Sequence, residues 1–129
     1  MKGTVEPFVL IPRYTSYVGE NKEDGGVDNS FATVPLDVSA FSKAVLTFWR
    51  GPLLGGPGAA FSAQFESSHD GVTWFPEGAA ITSTDTSDKH DIDLDRRWFR
   101  VRIELTENPT NETVGITCWA TGNLEQRLR

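Results

Sequence analysis

The chain has 129 residues, 38% hydrophobic and 23% charged, with 12 Gly and 7 Pro. That is enough for one domain with one buried core, and too apolar for a disordered chain. Its single cysteine, Cys118, excludes an internal disulfide framework and any Cys-based zinc site, and no run of about 18 apolar residues exists to cross a bilayer as a helix. The net charge of −6 divides into −2 over residues 1–30, −6 over 31–95 and +2 over 96–129. This acidic balance argues against nucleic acid as a partner, because phosphates need a basic face, whereas an acidic middle beside a basic end suits contact between identical subunits.

No window of eleven or more residues repeats apolar positions with a helical period; short alternating runs between Gly, Pro, Asp and Ser clusters recur instead. Met1–Pro7 has no apolar run and does not read as a secretory signal. Val5–Ile11 is the first predicted strand, with Pro7 placing it at an edge. Pro12–Ser30 is polar, contains Gly19, Gly25 and Gly26, and is expected to be a long loop; loops beyond about 12–15 residues are commonly functional or disordered. Phe31–Val38 is a weaker strand interrupted by Pro35, and Ala44–Arg50 reads as a buried one. Gly51–Gly58 is a flexible connector that carries Leu53 and Leu54 into solvent. Ala59–Ser67 alternates, with Phe61, Ala63 and Phe65 facing one way and Ser62, Gln64 and Glu66 the other.

Val72–Phe75, Ala80–Thr84 and Asp91–Leu94 are short strand candidates. Trp98–Leu105 sets Phe99, Val101, Ile103 and Leu105 against Arg100, Arg102 and Glu104. Val114–Thr121 places Val114, Ile116, Cys118 and Ala120 on one side and ends at Gly122. Leu124 and Leu128 beyond it are spaced for one helical turn or for a tail lying across a partner. Short strands at this spacing predict an all-β, two-sheet antiparallel sandwich, jelly-roll-like, with a long N-terminal loop; a closed barrel is the rival. The expected organisation is a strand and extended arm over 1–30, the sandwich over 31–122 and a tail over 123–129.

Chemistry-bearing residues are few. Asp70-Gly71 supplies the backbone of a tight hairpin turn, and Trp74 follows where a ring covers the end of a core; turn chemistry alone accounts for both. Asp85, Asp88, Asp91, Asp93 and Asp95 with His90 form an acidic run, but it lacks the glycine and glutamate of a calcium loop, so it reads as a solvated edge with no metal. Arg100 and Arg102 share a face with Trp98, and a guanidinium there either stacks on the ring or pairs with a neighbour's carboxylate. Cys118 lies in an apolar alternation and reads as a small buried hydrophobe. No nucleophile elbow, zinc-helix motif or phosphate loop occurs, so no catalytic residue and no cofactor are expected.

Four stretches stand together: Leu36–Phe41, Phe48–Arg50, Phe65–Trp74 with its Ser-x-Asp-Gly-x-Thr-Trp hairpin, and Arg97–Arg102. Across about residues 36–122 the chain resembles small β-sandwich virion proteins of tailed bacteriophages, the group that includes head decoration or cement proteins. The resemblance implies a structural role on the outside of the particle without catalysis, and contact with the major capsid protein and with copies of itself. A minor tail or head-completion protein fits the same resemblance. The hairpin is also similar to discoidin-like carbohydrate-binding sandwiches, which implies a glycan ligand at an aromatic platform near Trp74 or Trp98. Interface residues expected from the sequence are Leu53, Leu54, Trp98, Arg100, Arg102, Leu124 and Leu128.

Overall fold

The computed structural model describes residues 2–19, 27–55, 59–82, 87–107 and 113–127, and every regular element among them is a β-strand. In chain order these are β1 (Lys2–Gly19), β2 (Val27–Ala32), β3 (Leu36–Asp37), β4 (Lys43–Arg50), β5 (Ala60–Ser68), β6 (Phe75–Pro76), β7 (Ile81–Thr82), β8 (Ser87–Asp93), β9 (Trp98–Glu107) and β10 (Val114–Arg127). They form two antiparallel sheets: β1-β10-β4-β8, and β2-β9-β5-β6 with β3 on β9 and β7 on β5. The chain passes back and forth between the sheets, so each sheet mixes early and late strands, which is the jelly-roll arrangement expected from the alternation.

The alternation sets which side chains meet. Leu46 and Phe48 of β4, Ile116, Cys118 and Ala120 of β10, Phe61 and Phe65 of β5, and Phe99, Val101, Ile103 and Leu105 of β9 are all buried. Phe65 stacks on Phe99 at 5.9 Å and meets Phe48 of the other sheet edge-on at 6.5 Å, which ties the layers together. Each buried Phe or Leu contributes roughly 1.5–3 kcal/mol.

Both ends of the chain differ from expectation. The loop expected over Pro12–Ser30 is strand at either end: β1 continues to Gly19 and β2 starts at Val27, while residues 20–26 lie outside the described residues. The backbone of Thr15–Gly19 pairs with Cys118–Val114 of β10, and Tyr17 packs on the core while Val18 faces out. A half-exposed edge strand needs little apolar composition, so the sequence looked loop-like. At the other end β10 does not stop at Gly122 but pairs through Glu125 with β4 and through Arg127 with β1. Residues 2–19 and 123–127, expected within the arm and the tail, are thus strands of one sheet, while residues 27–30 of the expected arm join the other through β2. Phe31–Val38 splits into β2 and β3, and Val72–Trp74 is loop, with only Phe75–Pro76 pairing.

Gly122 breaks the sequence pattern because it sits where a side chain has no room. A Cβ there would lie 2.5 Å from Leu46 Cα and 2.7 Å from Leu46 Cβ, and would collide with the Val45 carbonyl oxygen. We expect Gly122→Ala to lower stability by about 3 kcal/mol or more in a urea unfolding titration, since rigid backbone forms the obstruction.

Candidate functional site

The outer face of the β9–β5 sheet gathers the charged residues. Cross-strand register sets Trp98 opposite Ser68, Arg100 opposite Glu66 and Arg102 opposite Gln64. Glu66 is only 5% exposed. Its carboxylate accepts from Arg100 Nε at 2.9 Å and lies 3.4 Å from Arg102 Nε, and Arg102 Nη1 reaches Glu104 at 2.8 Å. The Arg100 guanidinium also lies 4.0 Å from the centroid of the Trp74 ring. Both possibilities drawn from the sequence therefore change. These arginines find their carboxylates within the chain, because β5 beside β9 brings Glu66 to them, and Arg100 stacks on Trp74 rather than Trp98. Trp98 instead has Arg97 at 5.0 Å, and Arg97 pairs with Asp37 at 3.0 Å. The Ser39 hydroxyl and N–H donate to Asp37 and hold its carboxyl below the usual range, with a smaller contribution from Arg97. One face of each ring proposed as a sugar platform is thus occupied by a guanidinium.

The segment joining β5 to β6 is not a two-residue turn. Ser67 pairs with Phe75, and the residues between them form a longer loop closed by side chains. Ser68 Oγ accepts from Gly71 N–H at 2.9 Å, and Asp70 Oδ1 accepts from Val72 and Thr73 N–H, each at 2.9 Å. Only Gly71, at φ +79°, needs the left-handed region here. Arg96 clamps the far side, bonding Glu77 at 2.9 Å and Ser67 at 3.0 Å. The Thr73 and Val72 amides, with the Ser68 hydroxyl, pull Asp70 from its ordinary 3.8 down to about 2. A carboxylate with a depressed folded-state pKa stabilises fully above its unfolded value and loses that stabilisation as pH falls through the folded one. The stability difference between the native chain and Asp70→Ala should therefore be largest above about pH 4 and fall steadily as the pH drops through about 2, as read by urea titrations across that window.

The outer face of the β1-β10-β4-β8 sheet carries a cluster that the sequence reading missed. From Ile11 to Thr15 β1 advances four residues while β10 advances two, from Ala120 to Cys118. The extra length bulges outward and is closed by Thr15 Oγ1 donating to the Pro12 carbonyl at 2.7 Å. Its tip, Tyr14, is 68% exposed and has φ +60°, the one described non-glycine residue in the left-handed region. Trp49 and Trp119 are a direct cross-strand pair with near-parallel rings 6.2 Å apart. Tyr14 meets Trp49 edge-on at 5.9 Å, and the Arg13 guanidinium lies 4.4 Å from the Trp119 ring centre. The available signal was parity: Trp49 follows inward Phe48, and Trp119 lies between inward Cys118 and Ala120. Left-handed backbone costs a residue with a Cβ about 1–2 kcal/mol. Tyr14→Gly should thus be more stable than Tyr14→Ala by about 1 kcal/mol in chemical denaturation, since both lose the ring and only one keeps the strain.

The other expected interface residues scatter. Leu54 is exposed and exchanges backbone bonds with Gly115, whereas Leu53 packs partly against the core. Leu124 is buried opposite Ala44 in β4, because β10 continues past Gly122 with its alternation intact, and so it is not a surface residue. Leu128 lies outside the described residues. Burial pushes the Cys118 thiol up to about 12, leaving it protonated and unreactive at neutral pH. Tyr17 is raised as well, by burial and by the nearby Cys118. His69 is exposed in the loop, and the His90 ring lies 5.2 Å from Phe65. Asp91 has Lys43 at 3.7 Å and Lys89 at 3.9 Å; among the described residues no three His, Cys, Asp or Glu side chains gather as metal ligands would.

No protein-family profile and no curated protein sequence matches this chain. Among solved structures it is similar to a chain in the structure of infectious bursal disease virus Gx strain, at 13% identity and a TM-score of 0.46. That match covers 95% of this chain, which spans about a third of the viral chain, 31%. It is also similar to family 29 carbohydrate-binding modules. A CBM29-2 variant matches at 12% identity and a TM-score of 0.39 over 93% of this chain and 87% of that one. CBM29_1 from Piromyces equi matches at 12% identity and a TM-score of 0.37 over 93% of each chain. All are β-sandwiches.

Proposed function

We propose that this chain is a non-enzymatic structural protein of a phage particle that binds the outside of the capsid shell and stabilises it, as a decoration or cement protein does. The observation that carries this reading is the outer face of the β9–β5 sheet. Trp74, Trp98, Arg100 and Arg102 are the residue types that dominate protein-interface hot spots. Glu66 holds both arginines in place, so little side-chain freedom remains to be lost on docking. Exposed Val34 lies at one edge of this sheet, and exposed Val72 and Phe75 lie at the other. The particle itself is suggested by the sequence resemblance over residues 36–122. In such an arrangement many identical weak contacts on one shell add through avidity, and neighbouring copies tie adjacent shell subunits together.

Mixing the purified chain with expanded empty capsids of the phage that encodes it tests the reading. Saturable binding and a raised shell melting temperature are expected, and Trp98→Ala should weaken binding about tenfold or more. Absence of binding to that shell overturns the proposal.

A further inference from the structure

We propose that the opposite face of the sandwich, around Tyr14, Trp49 and Trp119, is a binding site for a neutral glycan. The inference is independent of the shell reading, because the two faces point away from each other and share no residue. Three observations carry it. First, three aromatic rings converge there, Tyr14 to Trp49 at 5.9 Å and Trp49 to Trp119 at 6.2 Å, with the Tyr14 ring mostly in solvent. Second, Tyr14 is presented on strained left-handed backbone at the tip of a two-residue bulge; such strain concentrates at ligand sites, where the surrounding structure enforces it.

Third, hydroxyl and amide side chains flank the ring pair. Register places Thr47 opposite Thr121 and Val45 opposite Asn123 next to the Trp49–Trp119 pair, with Ser16 and Thr117 on the other side. Further along the sheet, Asp91 of β8 lies 3.7 Å from Lys43 of β4 and 3.9 Å from Lys89 of its own strand. Arg13 lies against Trp119. A pyranose has a C–H face that lies on an aromatic ring and a rim of hydroxyls that bond to Thr, Ser and Asn. Rings flanked by hydroxyl and amide groups complement a neutral sugar chain.

Titration of the full chain with cellohexaose, chitohexaose, mannohexaose and xylohexaose, followed by tryptophan fluorescence and calorimetry, tests this, with heparin hexasaccharide as the anionic control. At least one neutral chain should bind. Trp119→Ala and Tyr14→Gly should each weaken it about tenfold or more, while Trp98→Ala leaves it unchanged. Tyr14→Gly keeps the inference testable should Trp119→Ala fail to fold, since glycine accepts the backbone at that position. Four results would overturn it: none of the neutral chains binding, binding that survives Tyr14→Gly, heparin binding as tightly as the neutral sugars, or a dimer in sedimentation that Tyr14→Gly dissociates. The last would make the face a contact between copies. Loss of shell binding with sugar binding intact would count against the shell reading alone.

Discussion

The ladder that β10 makes with β1 on one side and β4 on the other is the constraint from which the rest of the molecule follows. It settles which side chains of the first sheet point inward, and a slip of one residue would turn every one of them over. With Cys118, Ala120 and Leu124 inward, Thr117, Trp119, Thr121 and Asn123 must face out, the last three in rows with Trp49, Thr47 and Val45 of β4. Gly122 is what lets the ladder stay in register: the main chain of β4 comes so close there that no side chain fits. One missing methyl group therefore governs both the packing of Leu46 and the position of Trp119 beside Trp49.

The two outer faces reach order by different physics. On the β9–β5 side a nearly buried carboxylate gathers two guanidinium groups, and one of these stacks on a tryptophan. That face is stiff because removing one member of such a network strands the others in a poorly solvated place. On the β10–β4 side the organising element is a bulge, and its tip carries backbone strain that the flanking ladder sustains. A surface ordered by ion pairs and one built on aromatic rings, on opposite sides of one small sandwich, suit different partners.

Much of this was legible in the residues. Ala59–Ser67 and Trp98–Leu105 lie where their alternation puts them, because the two faces of each are distinct in chemistry, whereas Ala44–Arg50, expected as a buried strand, buries Ala44, Leu46 and Phe48 and leaves Val45, Thr47 and Trp49 half-buried on the outer face. The ends of the chain were not, and for a physical reason. Residues 15–19 and 122–127 are held by backbone bonds to distant strands, a requirement that leaves no mark on local composition. The charged face was half legible: Arg100 and Arg102 stood out, but Glu66 lies 34 residues before Arg100 and only sheet pairing joins them. The aromatic cluster was hidden for the same reason, since Tyr14, Trp49 and Trp119 come from three separate parts of the chain.

The pairing of β1 with β10 also shapes how the protein is born. Gly19 finds its partner in Val114, so β1 leaves the ribosome roughly a hundred residues ahead of the strand it needs. Throughout that interval Val5, Val9 and Val18 sit on a segment with no hydrogen-bonding mate. Topologies dominated by such distant pairings fold over milliseconds to seconds. The nascent segment is thus the point where chaperone protection, or crowding by sister chains on one polysome, decides between yield and aggregation.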